Sequence, residues 1–363
     1  FTNAACREVI LPDTLRRIEP GAFTGCAVET LTLFDNLQTV SDYAFADCTA
    51  LRTLHINAAT APVYSGSYYA TFADKYDRLL SLAKNRKLVL FSGSSARFGY
   101  DSAALDEALP SYAVVNMGVF AYTNALPQLE LIRGQLQEGD LLLLSPEFDA
   151  AKRQFCTTNA FDDDFFCMVE GNYDLLARLD LRQYSGVFSA FGSYLQTRAG
   201  MAARSYAVSP AELDENGNPV DTPSYNAYGD YILYRPDANE DTPIYGLPVD
   251  YTVDAFPQAY YIDPANAEIA RFKADGVRVY LTYSPRNSRA VSEASTPEAI
   301  AALDAYFREN LSAAILTPLQ DSLLPGRYFY GTDNHLSTNG VALRTAQVIT
   351  ALKDALQKEG LTP

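Results

Sequence analysis

Two hydrophobic periods alternate along most of the chain. Short apolar runs at residues 88–91, 113–117 (broken only by Asn116) and 141–144 are separated by stretches in which apolar residues recur at helical spacing, around 102–109 and 126–136. Strands that are apolar on both faces and joined by helices predict a parallel α/β sheet with right-handed crossovers. Phe72, Tyr76, Leu79, Leu80 and Ala83 predict an amphipathic helix delivering the chain to the first of these strands. Further on, 277–283 reads as a fourth strand and 313–316 as a short fifth. Thr296 and Pro297 open a helix to about Asn310. Ser337 opens a last helix with Val341, Val348, Ile349, Leu352 and Leu356 inward and Gly360 past its end. From about 150 to 270 the pattern blurs: helical spacing survives between Asp174 and Ala203, and residues 214–219 look like a hairpin turn.

Residues 1–58 follow a different rule. A shift of 22 superposes Val9 on Leu31, Leu11 on Leu33, Leu15 on Leu37, Ile18 on Val40, Ala22 on Ala44, Phe23 on Phe45 and Cys26 on Cys48. With one inserted residue, Leu31 and Leu33 map on Leu54 and Ile56. A period of this length predicts a leucine-rich-repeat solenoid with strands at 29–33 and 52–56. The wording Ala22-Phe23-Thr24-Gly25-Cys26 and Leu11-Pro12-Asp13-Thr14-Leu15-Arg16-Arg17-Ile18 resembles the BspA-type leucine-rich repeats of bacterial surface proteins. That resemblance implies a secreted or cell-surface location and an adhesion role, with a host or cell-surface protein as partner. The chain opens at Phe1 inside a repeat, so an upstream signal or domain is expected. His55 sits between Leu54 and Ile56 and is expected on the outer face of its strand. Residues 59–85 read as a linker and connecting helix, and 86–363 as one α/β domain carrying the insertion at about 150–270.

Composition narrows the partners. Lys+Arg 28 against Asp+Glu 44 gives a net charge of −16, which argues against nucleic acid or an anionic membrane surface. No apolar run reaches the ~18–20 residues of a spanning helix. Among five cysteines, Cys156 and Cys167 form a plausible local pair, whereas Cys6, Cys26 and Cys48 belong to the repeats. Nine tyrosines crowd residues 206–261; they read as packing for an irregular insertion or as an aromatic wall for a sugar. Asp162, Asp163 and Asp164 read as an acidic helix start rather than a cation site, and 214–218 as a weak calcium loop spoiled by Pro219. No metal or cofactor is expected.

The chemistry-bearing residues lie at strand ends. The first α/β strand stops at Ser92-Gly93-Ser94-Ser95, the second at Gly118, and one of only two histidines follows the last strand in Asp333-Asn334-His335-Leu336. In open α/β sheets, ligands gather at the carboxyl ends of strands. A neutral histidine there accepts a serine proton during attack on an acyl carbonyl, with a carboxylate fixing its tautomer. Ser94, His335 and Asp333 are therefore the candidate triad, and the N–H groups of Ser94 and Gly118 the candidate oxyanion donors.

In order and character these blocks resemble the SGNH (GDSL-like) hydrolase family over roughly residues 86–358. The resemblance implies a flavodoxin-like three-layer α/β/α sandwich and an esterase or O-acyltransferase acting on an acylated glycan, with Ser94 as nucleophile, Gly118 in the oxyanion hole and His335 as base. Three departures stand out. Ser92-Gly93-Ser94 replaces Gly-Asp-Ser and leaves Ser95 as a rival nucleophile. The family's third-block asparagine has no counterpart, since Ser145-Pro146-Glu147 occupies that strand end, and a carboxylate repels an oxyanion. The acid precedes the histidine by two residues, a spacing similar to the branch that moves acetyl groups on or off exopolysaccharides. The alternative expectation is a surface adhesion or glycan-binding protein whose α/β domain no longer catalyses.

Overall fold

A computed structural model of the chain describes all residues except 13, 35–38, 42, 58–63, 65–67, 149–157, 203–223 and 241–243; at 34, 39–40, 54–57 and 199–202 it describes the backbone alone. The chain forms two compact units, Phe1–Ala70 with Asn159–Pro210, and Thr71–Thr158 with Ala211–Pro363. The segment read from sequence as a single insertion is thus divided between them.

In the first unit the 22-residue period becomes a stack. Strands β1 (Glu8–Ile10), β3 (Thr30–Phe34) and β5 (Thr53–Asn57) pair in parallel, with Val9 opposite Leu31 and Leu31 opposite Leu54, while β2 (Arg17–Ile18) pairs with β4 (Thr39–Val40). Phe1, Phe23 and Phe45 stack with centroids 5.2 and 5.1 Å apart, and Phe188, from the helix Val187–Ala202, continues the ladder 5.8 Å beyond Phe45. The repeated cysteine is a hydrogen-bonding device: Cys26 Sγ donates to the Phe1 carbonyl at 2.7 Å and Cys48 Sγ to the Phe23 carbonyl at 2.9 Å. Two positions recur in the left-handed region at the repeat spacing: Asn3, Gly25 and Asp47, with φ of 59°, 68° and 58°, and Gly21 and Tyr43, with φ of 68° and 60°. All but Tyr43 are residue types that adopt that conformation at low cost.

Asp162 caps the helix Asp163–Met168 by accepting from the Phe165 N–H at 3.0 Å, as an acidic helix start should. Cys167 carries a free thiol whose pKa burial pushes up to about 12; Cys156 lies outside the described residues, as do 214–219. The His55 side chain is likewise outside the description.

The second unit is built on a five-stranded parallel sheet of β6 (Lys87–Phe91), β7 (Ala113–Asn116), β8 (Leu141–Leu144), β9 (Arg278–Leu281) and β11 (Ala314–Ile315), in the order β11-β9-β8-β6-β7. Two-residue strands β10 (Arg286–Asn287) and β12 (Leu323–Leu324) pair separately. On one face of the sheet Leu88, Leu90, Val114, Leu141 and Leu143 pack with Val348, Leu352 and Leu356 of the final helix, Thr338–Lys358. Helices Thr71–Ser81, Ser102–Ala108, Ala125–Arg133 and Pro297–Asn310 appear where the periodicity predicted them. Helix Asp263–Ala274, inside the blurred segment, was not legible.

The strand-opening Lys87, which reads in sequence as a polar boundary, is fully buried. Its ammonium lies 2.9 Å from Asp140 Oδ2, both side chains are 0% exposed, and the Lys87 N–H donates to Asp140 Oδ1 at 2.8 Å. Breaking such a pair leaves one buried charge uncompensated. Lys87→Met is therefore expected to cost about 3–5 kcal/mol in urea unfolding, with Lys87→Met/Asp140→Leu recovering most of the loss.

Candidate active site

The sheet order reverses between β6 and β8, the topological switch point where open α/β sheets form a crevice beyond their strand ends. Beyond β6 the chain makes a single helical turn, Ser94–Arg97, capped at Gly93. A Cβ on Gly93 would lie 2.5 Å from Ala121, and one on Gly118 would lie 2.6 Å from Ala96 Cβ and 2.7 Å from the Arg97 nitrogen. Both glycines are there because the loops after β6 and β7 touch. Ser95 is 2% exposed; its N–H donates to Glu147 Oε1 at 2.8 Å, and its hydroxyl is buried without a hydrogen-bond partner. Ser94 is 8% exposed, with its hydroxyl and N–H uncommitted among the described residues.

The turn is held from below by Asn116, the last residue of β7 and wholly buried. Its Nδ2 donates to the Ala96 carbonyl and to Asp230 Oδ1, each at 2.9 Å, and its Oδ1 accepts from the Gly118 N–H at 3.0 Å. The Gly118 N–H read from sequence as an oxyanion donor is thus engaged by Asn116. Asp230, also buried, accepts from the Ser102 N–H at 2.8 Å, from Ser102 Oγ at 2.6 Å and from Asn226 Nδ2 at 3.1 Å. The Gly118 carbonyl accepts from Lys75 Nζ, which also lies 5.7 Å from the Tyr225 ring centroid. Burial pushes the Lys75 ammonium down to about 7; Arg97 adds to the push, while Asp230 and Asp74 oppose it.

His335 approaches the same turn from the far end of the chain. Thr332 Oγ1 accepts from the N–H groups of Asn334 at 3.2 Å and His335 at 2.9 Å, closing the loop. The half-buried imidazole packs on the Phe98 ring, with centroids 4.3 Å apart, and Phe98 directly follows the Ser94–Arg97 turn. Arg235 fastens the two segments, donating from Nε to the Leu336 carbonyl at 2.7 Å and from Nη2 to the Phe98 carbonyl at 3.3 Å. The Asp333 carboxylate serves other partners: Oδ1 accepts from Asn287 Nδ2 at 3.1 Å and Oδ2 from the Tyr245 N–H at 2.5 Å. Asn334 completes the frame, accepting from Arg286 at 2.6 Å and donating to Glu147 Oε2 at 3.2 Å.

Glu147 therefore joins the serine turn to the histidine loop, a bridging role that sequence reading did not assign to it. Asp230, Arg235, Arg286 and Asn287 were also missed. The sole sequence signal was the position of Arg286 and Asn287 just beyond the fourth strand. Among the described residues no cluster of three or more His, Cys, Asp or Glu side chains is arranged to hold a metal ion.

With this geometry in view, the comparisons with known proteins divide the chain. A family model described as "BspA type Leucine rich repeat region (6 copies)" matches residues 1–76. BspA-type leucine-rich repeats are thus found within residues 1–76. The stacked phenylalanines and cysteine thiols described above are the internal ladder of these repeats. No curated protein matches the chain. A solved structure, that of protein YxiM from Bacillus subtilis, is similar at 13% identity and a TM-score of 0.34; the match covers 75% of this chain and 57% of that one.

The depressed Lys75 sets a pH signature. The unfolded chain binds a proton at Lys75 between pH ~7 and ~10.5 that the folded chain does not, so this residue's contribution to stability rises across that window and is flat below it. The difference in urea midpoint between wild type and Lys75→Met is expected to shift in favour of wild type as pH rises from 7 to 10.

Proposed function

We propose that the second unit is an SGNH-type serine esterase or O-acyltransferase that acts on acyl groups, acetyl above all, of a glycan through an acyl-enzyme. One observation carries the reading: His335 packs on Phe98, so a histidine some 240 residues distant in sequence lies against the residue that follows the Ser94–Arg97 turn. The strand order supports it further. Numbered along the chain, β6, β7, β8, β9 and β11 run 2-1-3-4-5 across the sheet, the order of flavodoxin-like doubly wound folds, with Ser94 at the switch point.

In this mechanism Ser94 Oγ attacks the acyl carbonyl while its proton passes to the His335 imidazole. Collapse of the tetrahedral intermediate expels the sugar oxygen, which takes that proton back, and leaves the acyl group on Ser94. Water or a second sugar hydroxyl then gives up a proton to His335 and accepts the acyl group, so hydrolysis and transfer share every residue. The uncommitted Ser94 N–H is the first oxyanion donor; the Gly118 N–H joins it by exchanging its Asn116 acceptor for the oxyanion. Asp333 orders the histidine loop through Asn287 and Tyr245.

BspA-type repeats are typical of bacterial surface proteins, leucine-rich repeats are commonly protein-interaction modules, and among the described residues no helix is long and apolar enough to cross a membrane. An extracellular or surface-bound enzyme whose repeats hold a host or cell-surface protein fits these facts. One observation favours the second reading, a glycan-binding protein without catalysis: the Asp333 carboxylate is engaged by Asn287 and Tyr245. Fluorophosphonate labelling separates the two. Wild type and Ser95→Ala are expected to label and Ser94→Ala to lose labelling; equal labelling of wild type and Ser94→Ala sinks the enzyme reading.

A further inference from the structure

Beside the histidine loop lies a cavity of about 240 Å³, lined by Asn239, Tyr245, Asn287, Phe329, Thr332 and Asp333 among others. Three features define what it takes. Its volume is below the about 300–1,000 Å³ of sites for drug-sized ligands, which suits a single ring. Its walls pair flat aromatic surface with amide and hydroxyl groups, and Thr332 Oγ1, which accepts from two backbone N–H groups, keeps its own proton to donate. Among the described residues no lysine or arginine lines it, and the carboxylate in its wall together with a chain charge of −16 disfavours an acidic ligand.

Tyr245 supplies the remaining clue. The residue is 74% exposed, yet its backbone is fastened: the Tyr245 N–H donates to Asp333, the Leu247 carbonyl accepts from Arg286 at 3.3 Å, and the Val249 N–H donates to the Ala290 carbonyl at 3.0 Å. Gly246, at φ +110°, makes the bend between these anchors. An exposed aromatic side chain on an anchored backbone, in the lining of a partly polar cavity, is a ready stacking face for a ligand that is flat on one side and hydroxylated at its edge.

We propose that this cavity is a subsite for one neutral pyranose ring, with Tyr245 as its stacking face and Thr332 as a hydrogen-bond donor. The proposal rests on the glycan reading above and deepens it, since Thr332 and Asp333 belong to the loop that carries His335.

Saturation-transfer NMR on the full Ser94→Ala chain, with methyl glucoside, galactoside and mannoside as neutral probes and glucuronate as the acidic one, tests it without turnover. Transfer to at least one neutral pyranoside is expected. Affinity should be kept in a Tyr245→Phe background and in Leu247→Ala, whose side chain lies outside the cavity, and weakened roughly tenfold in Tyr245→Ala, the scale of one lost aromatic contact. An unchanged circular-dichroism melt of Tyr245→Ala shows that the loss is local. Equal binding by Tyr245→Ala, an equal loss in Leu247→Ala, preference for glucuronate, or no transfer to any neutral pyranoside overturns the subsite. Ester turnover by the wild type is scored separately: turnover without pyranoside binding defeats the subsite alone, and Tyr245-dependent binding without turnover defeats the esterase reading alone.

Discussion

The buried amide of Asn116 is the constraint on which the second unit's candidate site depends. It ties the Ser94–Arg97 turn, the loop after β7 and, through Asp230, the start of helix Ser102–Ala108 into one network with no exposed member among Asn116, Asp230 and Ser102. Each such bond contributes only about 1 kcal/mol net, but an orphaned partner in this dry setting costs about 1–3 kcal/mol. The network therefore tolerates few arrangements, which is what a site assembled from separate loops requires. Lys75, reaching the Gly118 carbonyl with a depressed pKa, belongs to the same arrangement.

A consequence is the asymmetry between adjacent serines. Glu147 fixes the N–H of Ser95 and burial hides its hydroxyl, whereas Ser94, at 8% exposed, has both polar groups uncommitted among the described residues. The same Glu147 reaches Asn334, and Arg235 holds Leu336 to Phe98, so the two halves of the candidate site share supports. Sequence alone left Ser94 and Ser95 as rivals because both sit at the end of one strand; their difference lies in partners contributed by residues 52 or more positions away.

What could be read in advance was periodic. Mainly apolar runs marked β6, β7 and β8, helical spacing marked the final helix, and the 22-residue shift marked the repeats, where even left-handed positions follow the period, as at Asn3, Gly25 and Asp47. What could not be read was aperiodic. The pairing of Asn116 with Asp230, of Arg235 with Leu336 and of Asp333 with Tyr245 depends on lone polar residues brought together by the fold, which leave no spacing in the chain. Helix Asp263–Ala274 was hidden by the Tyr260-Tyr261 pair before it and by Pro264, which stands in its first turn, where proline is tolerated. The period placed Cys26 and Cys48 in the repeats but not their role, which is to donate thiol hydrogen bonds to the Phe1 and Phe23 carbonyls of the preceding repeat.

The proposed chemistry requires Ser94 to take the acyl load while its neighbours only hold it in place. The most direct measurement is tandem mass spectrometry of the protein quenched during incubation with an acetylated glycan or an activated acetyl ester. An acetyl group mapped to Ser94, and lost in His335→Ala, is the predicted result. An acetyl group on Ser95, or none on either serine while acetate is still released, contradicts it.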